Sequence, residues 1–348
     1  MLYFHRKSRK YLRGRLYVSR DMKKLYKYLD PDFFKLIFCK KDFVELKSTF
    51  PKDFNDPYEL FLTINTDSID SEILAFYLET AGNISQLPTL CFSNLPDVVP
   101  MWAHYTREST GFVIELDEEL LVKYYPDARI EDVNYSESPT IIDADEVKHA
   151  YTTTKPRHTY WLQRSAFNAA YFTKSKYWSY ESERRFVVGI NKIRKKNGLT
   201  ILQIPVNCVT AIIVGSRIDT NLEKQIQNFC KKINKQYYKM QLGRSSMRPF
   251  FINADYRSYL FNGQQLAEAN NYCSDCNEPI DDDNGQCPWC AITDEDRYDA
   301  AFRNPMRNLA RLGLLEDYMQ TSAEIDTKHR NKVKDFIVKN KKRKSTSR

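Results

Sequence analysis

The sequence predicts an α+β fold, with a central, mostly antiparallel sheet and flanking helices. Short alternating or apolar runs, as at 25–29, 111–116 and 209–216, outnumber the stretches with helical spacing. No internal repeat interrupts that pattern. With 23 Tyr and 20 Phe against only 10 Gly, the composition is that of a folded chain, and 348 residues can bury a sizeable core as one large domain plus an appendage or as two domains.

The net charge is +8 and the pI about 8.9, a balance that favours an anionic partner such as nucleic acid. No apolar run reaches the roughly 18 residues that a membrane span needs, and the N-terminus lacks the apolar core of a secretion signal. The expectation is a soluble cytoplasmic protein with no membrane partner. Cys39, Cys91, Cys208 and Cys230 lie singly in apolar segments, as in a reducing compartment.

Residues 1–23 read as a basic arm, with Arg6, Lys7, Arg9, Lys10, Arg13, Arg15 and Arg20 among tyrosines. Such an arm either lies on a polyanion or is simply solvated. Residues 24–243 read as the α+β domain. Its first strand, Leu25-Tyr-Lys-Tyr-Leu29, stops at Asp30-Pro31; a short helix over 32–40 and a strand near 43–46 follow. Phe50-Pro-Lys-Asp-Phe-Asn-Asp-Pro-Tyr-Glu59 is a loop whose polar side chains can bond the local backbone, and Asn55 in it either fixes the loop or meets a ligand. Helical spacing covers 69–80, and a brief strand covers 90–94. Trp102, His104 and Tyr105 are core residues or site residues. A strand at 111–116, another near 130–135, a helix over 160–172, strands at 198–206 and 209–216 and a helix over 221–232 complete the domain.

Trp178-Ser-Tyr-Glu-Ser-Glu-Arg-Arg-Phe-Val-Val188 places two carboxylates two residues apart. If the chain is extended, Glu181, Glu183 and Arg185 share one face. Paired carboxylates suit chemistry at a sugar carbon, where one anion stabilises an oxocarbenium-like transition state and the other accepts a proton from the nucleophile. The competing reading is an edge strand whose Glu and Arg side chains pair in solvent.

Cys273-Ser-Asp-Cys276 and Cys287-Pro-Trp-Cys290 form two knuckles separated by ten residues. Four thiolates at this spacing suit tetrahedral structural zinc, so residues 268–294 read as a zinc ribbon with ligands Cys273, Cys276, Cys287 and Cys290. A closed four-cysteine site leaves no position for a catalytic water. Residues 295–348 read as a helical, basic tail ending in a Lys/Arg-rich run from Lys339.

Taken in order, the first-strand Leu-Tyr-Lys-Tyr, Phe54-Asn-Asp-Pro57, Cys91-Phe-Ser93, Met101-Trp-x-His-Tyr105, Gly111, Lys176 with Trp178-x-Tyr-Glu-x-Glu-x-Arg185, and Ile212-Ile-Val-Gly215 resemble a bacterial family of unknown function, number two-nine-seven-one, over about residues 24–240. More distantly, the chain is similar to ADP-ribosyltransferases, which place a gripping residue on a first strand, Ser or Tyr on a second and a catalytic Glu on a third. That resemblance implies NAD as substrate, with Glu183 stabilising the oxocarbenium ion and Glu181 orienting or deprotonating the acceptor. It also implies Lys27 or Tyr28 and Ser93 as NAD-contacting residues, and Asn55, Trp102, His104 and Tyr105 are further candidates to contact NAD. The first strand departs from the His or Arg usual there.

Two function classes follow. One is an ADP-ribosyltransferase acting on RNA or DNA, as a toxin in anti-phage defence with a possible antitoxin partner. The other is a non-catalytic nucleic-acid-binding module whose carboxylates pair with Arg184 and Arg185. A nuclease would need a cluster of metal-binding carboxylates or a histidine pair, and five scattered histidines support neither.

Overall fold

The computed structural model describes residues 23–56, 69–81, 85–137, 144–281 and 285–345, and side chains to 334. The basic arm over 1–23 lies outside them except for Lys23. The described chain divides into compact units at Gly285/Gln286.

The first unit is built on a ten-stranded sheet. In chain order its strands are β1 (Lys24–Leu29), β3 (Thr89–Ser93), β4 (Phe112–Asp117), β5 (Arg129–Asp132), β8 (Glu183–Val187), β11 (Val209–Val214), β12 (Gln236–Gln241), β13 (Phe250–Asn253), β14 (Ser258–Phe261) and β15 (Leu266–Glu268). They lie side by side in the order β15-β14-β13-β12-β11-β4-β1-β3-β8-β5. Every pairing is antiparallel except β11 with β12, which α7 (Thr220–Ile233) joins as a crossover. β2 (Phe43–Lys47), β10 (Leu199–Pro205) and β9 (Arg194–Lys196) form a second sheet, and β6 (Asn134–Ser136) pairs with β7 (Thr173–Ser175).

The expected α+β architecture is therefore present, with three differences. The run expected near 130–135 is two strands in different sheets, β5 and β6. The helix expected over 32–40 shortens to a 3-10 turn at Pro31–Phe33 followed by α1 (Phe34–Ile37). The main sheet also runs on past residue 243 to Glu268, through strands too short and aromatic to show a clear period.

Alternation along the strands sends side chains into two cores. Leu25, Leu90, Phe92, Phe112, Ile114, Phe186 and Ile212 face the second sheet and α7. Tyr26, Tyr28, Val113, Ile213, Tyr238 and Phe251 face α3 (Val99–Tyr105), which contributes Met101 and Trp102. A separate cluster packs α2 (Ser71–Thr80), α5 (Ala144–Thr153) and α6 (Pro156–Phe172) through Ile73, Tyr77, Val147, Leu162 and Ala166.

The second unit contains α8 (Asp294–Arg303), α9 (Pro305–Arg311) and α10 (Leu315–Ser345). Thr293 and Asp296 form a capping box that satisfies backbone donors at the start of α8, and Asn304 caps α9.

Candidate active site and cysteine cluster

β1 and β3 share a single registered pair, Tyr26 opposite Ser93, whereas β3 and β8 are paired along their whole length with Ser93 opposite Glu183. Directly opposed residues project to the same side of a sheet. Tyr26, Ser93 and Glu183 thus stand in one row across three adjacent strands, where β1 begins to part from β3.

A cleft of about 220 Å³ opens there. Its walls include Tyr26, Lys27, Tyr28, Asn55, Ser93, Tyr105, Lys174, Glu181 and Glu183. Drug-sized ligands fill roughly 300–1,000 Å³, so the enclosed part suits a single ring or pentose.

Its floor is a buried quartet of charges. Glu183 accepts from Arg185 at 2.8 and 3.1 Å and lies 3.3 Å from Lys174 Nζ, which also donates to Glu181 at 2.6 Å. Arg185, fully buried, donates in addition to the Tyr171 carbonyl at 2.8 Å. Tyr105 donates its hydroxyl to Glu181 and is bonded by the Asn55 side chain. Burial opposes ionisation of Glu183, but Arg185 and Lys174 overcome it and pull its pKa down to about 2. Burial, then Glu181, push the Tyr105 phenol up, so it stays a protonated donor. The Cys91 thiol is also pushed well up, chiefly by burial and then by Glu183, and is no nucleophile.

The two glutamates do not meet by simple strand alternation. Lys176–Glu181 is a 3-10 turn, and Ser182 adopts a left-handed conformation (φ 42°) before β8 begins at Glu183. Asn94 secures that turn by donating its backbone and side-chain N–H groups to the Ser182 carbonyl. Ser93 Oγ donates to the Glu181 carbonyl at 2.7 Å and accepts from Leu95 N–H at 3.1 Å. Glu183 and Arg185 do share a strand face, while Arg184 turns away to Glu118 and Asp132.

Of the residues singled out from sequence, Lys27, Tyr28, Asn55, Ser93, Tyr105, Glu181 and Glu183 line this cleft. Lys27 spans the strand gap, donating to the Cys91 carbonyl at 2.8 Å. Trp102 and His104 do not line it. The Trp102 indole is wholly buried and donates to the Pro96 carbonyl, and His104 is exposed, with Nδ1 3.5 Å from the Tyr180 hydroxyl. Sequence reasoning missed Tyr26, Lys174 and Arg185 as members of the site. The signal for Arg185 was the shared strand face; Lys174 gave none beyond its place before the Trp178 stretch.

The Sγ atoms of Cys273, Cys276, Cys287 and Cys290 all lie within 4.8 Å of one another, with Cys273 and Cys287 buried. A tetrahedron with Zn–S bonds of about 2.3 Å has sulfurs roughly 3.8 Å apart, so the donor set fits structural zinc. Among the described residues no disulfide joins the cysteines.

Fold and site together define an α+β protein with a carboxylate-bearing cleft at a strand split and a separate cysteine cluster. Residues 101–186 match the family described as Protein of unknown function (DUF2971), a stretch that holds Tyr105, Glu181 and Glu183. No curated protein matches the chain. No solved structure matches it either. No described helix is long and apolar enough to cross a membrane.

Proposed function

We propose that the cleft binds the nicotinamide-ribose end of NAD and transfers ADP-ribose to a macromolecular acceptor. The row of Tyr26, Ser93 and Glu183 on neighbouring strands is the observation that carries this reading. In it, the ribose C1′–N bond breaks, nicotinamide leaves with the electron pair, and the acceptor attacks C1′ as it loses a proton. Glu183, ionised throughout the neutral range, stabilises the positive charge that develops on the ribose. Glu181, held by Tyr105 and Lys174, orients or deprotonates the acceptor. The net charge of +8 supports RNA or DNA as that acceptor. A toxic role in anti-phage defence, with an antitoxin, rests on the resemblance alone and is read by growth arrest on induction.

The test is nicotinamide release and label transfer from NAD by the full chain in cell extract, followed by separate nuclease and protease digestion. Glu183→Gln lowers both by on the order of a hundredfold per folded molecule. Glu181→Gln lowers transfer while water still accepts the ribosyl group. Full turnover by folded Glu183→Gln protein removes the enzyme reading.

One observation favours a second reading. Glu183 is only 3% exposed and both its oxygens are ion-paired, as in a structural network. The chain would then be a non-catalytic nucleic-acid-binding module, and it would bind oligonucleotides with no NAD turnover.

A further inference from the structure

The solvent face of α6 carries a stripe that the cleft does not use. Leu162, Ala166 and Ala170 are the buried side of this helix. Arg157, Tyr160, Trp161 and Arg164 fall on the opposite side at helical spacing. Tyr160 and Trp161 are 59% and 53% exposed, so two adjacent aromatic rings offer free surface on this face. Their centroids lie 5.9 Å apart, and the Arg164 guanidinium sits 5.6 Å above the Trp161 ring. No acidic residue occurs anywhere in α6, and Lys155 adds a further cation at its start.

We propose that this stripe is a docking platform for single-stranded nucleic acid. Unpaired bases stack on exposed aromatic faces, and arginines at helical spacing beside them neutralise the backbone phosphates. A duplex keeps its bases stacked on one another and offers no free faces to Tyr160 and Trp161. The charge complementarity and the flat rings together select this partner over an acidic protein. The inference rests on the proposed function only in making the bound strand the acceptor. From Trp161 to the end of α6 at Phe172 is roughly 17 Å along the helix axis at about 1.5 Å per residue, and the helix passes directly into the strand that carries Lys174. A strand held on the platform is led by the helix towards the cleft.

The experiment is fluorescence anisotropy of the full chain with labelled oligo-dT, oligo-rU and a duplex of the same length, without NAD, across a salt series. The wild-type chain binds single strands more tightly than duplex, and affinity falls steeply with salt. Joint replacement Tyr160→Ala and Trp161→Ala weakens single-strand binding by about tenfold or more, while Trp161→Phe retains most of it. Arg164→Ala reduces the salt slope. Circular dichroism melting confirms that the half-exposed substitutions leave the fold intact. Undiminished binding by the double alanine variant, preference for duplex, or no binding of oligonucleotide at low salt overturns the proposal. A wild-type chain that binds through Trp161 yet releases no nicotinamide keeps the platform and removes the NAD reading; the reverse result removes the platform alone.

Discussion

Arg185 grips Glu183 from two positions further along the same face of β8, with guanidinium contacts of 2.8 and 3.1 Å, and neither residue is more than 3% exposed. Each ion is affordable inside the protein only because the other is there. Removing one partner of a buried pair leaves an uncompensated charge and costs about 3–5 kcal/mol, far more than an exposed pair contributes.

Arg185→Met should therefore lower the melting temperature sharply, although Met fills much of the same space. Glu183→Gln should cost less, because the amide oxygen can still accept from Arg185. Equal melting temperatures for Arg185→Met and wild type would show that the network carries no structural weight. This cost was hidden at the sequence level, where the two glutamates read either as site carboxylates or as groups pairing with arginine in solvent on an edge strand.

Acid stability should carry the mark of the same pair. The folded pKa of Glu183, about 2, lies below its ordinary 4.5, so the unfolded chain takes up a proton first as pH falls. The stabilisation is fully present above about pH 4.5 and is lost as pH drops towards 2. Urea midpoints followed through that window should fall more for wild type than for Glu183→Gln. Parallel curves for the two proteins would contradict the depressed pKa.

At the cysteine cluster, four sulfurs converge in a segment with few apolar residues, so a metal bound there would supply folding energy. Elemental analysis of protein purified without chelator should find about one zinc per chain. Cys287→Ser, which removes a buried ligand, should lose it and make the segment sensitive to protease. Full-length protein without zinc would remove the assignment.

Local pattern made much of this molecule legible, and long-range register set the limit. The apolar alternation of β1, β4 and β11 and the paired Cys-x-x-Cys spacing each declare themselves within a dozen residues, because side-chain period and ligand geometry are local constraints. The sequence offered Lys27 or Tyr28 for the first-strand role. The pairing of β1 with β3 instead sets Tyr26 opposite Ser93, and nothing within either strand encodes that register. Trp102 illustrates a different limit: an aromatic cluster marks a core and a ligand site equally well, and burial against Tyr28 decides for the core. Lys174 was invisible because a lysine becomes a site residue only through the carboxylates that fold around it.

That lysine provides the most discriminating test. Its ammonium lies 2.6 Å from Glu181 and 3.3 Å from Glu183, with the Trp178 ring 4.8 Å away on another side. Lys174→Met keeps the stem and removes the charge, so two buried carboxylates lose the cation they share. Lys174 is one of the two cations that hold the Glu183 carboxyl down, so without it the Glu183 pKa rises. If nicotinamide release requires both anions, its pH profile in Lys174→Met should acquire an acid limb at higher pH than in wild type, and Lys174→Arg should restore the original profile. A structural bridge predicts a different outcome: melting temperature falls in Lys174→Met, but activity per folded molecule keeps the wild-type pH dependence. A Lys174→Met profile that superimposes on wild type would therefore separate Lys174 from the chemistry and leave it as part of the scaffold beneath the cleft.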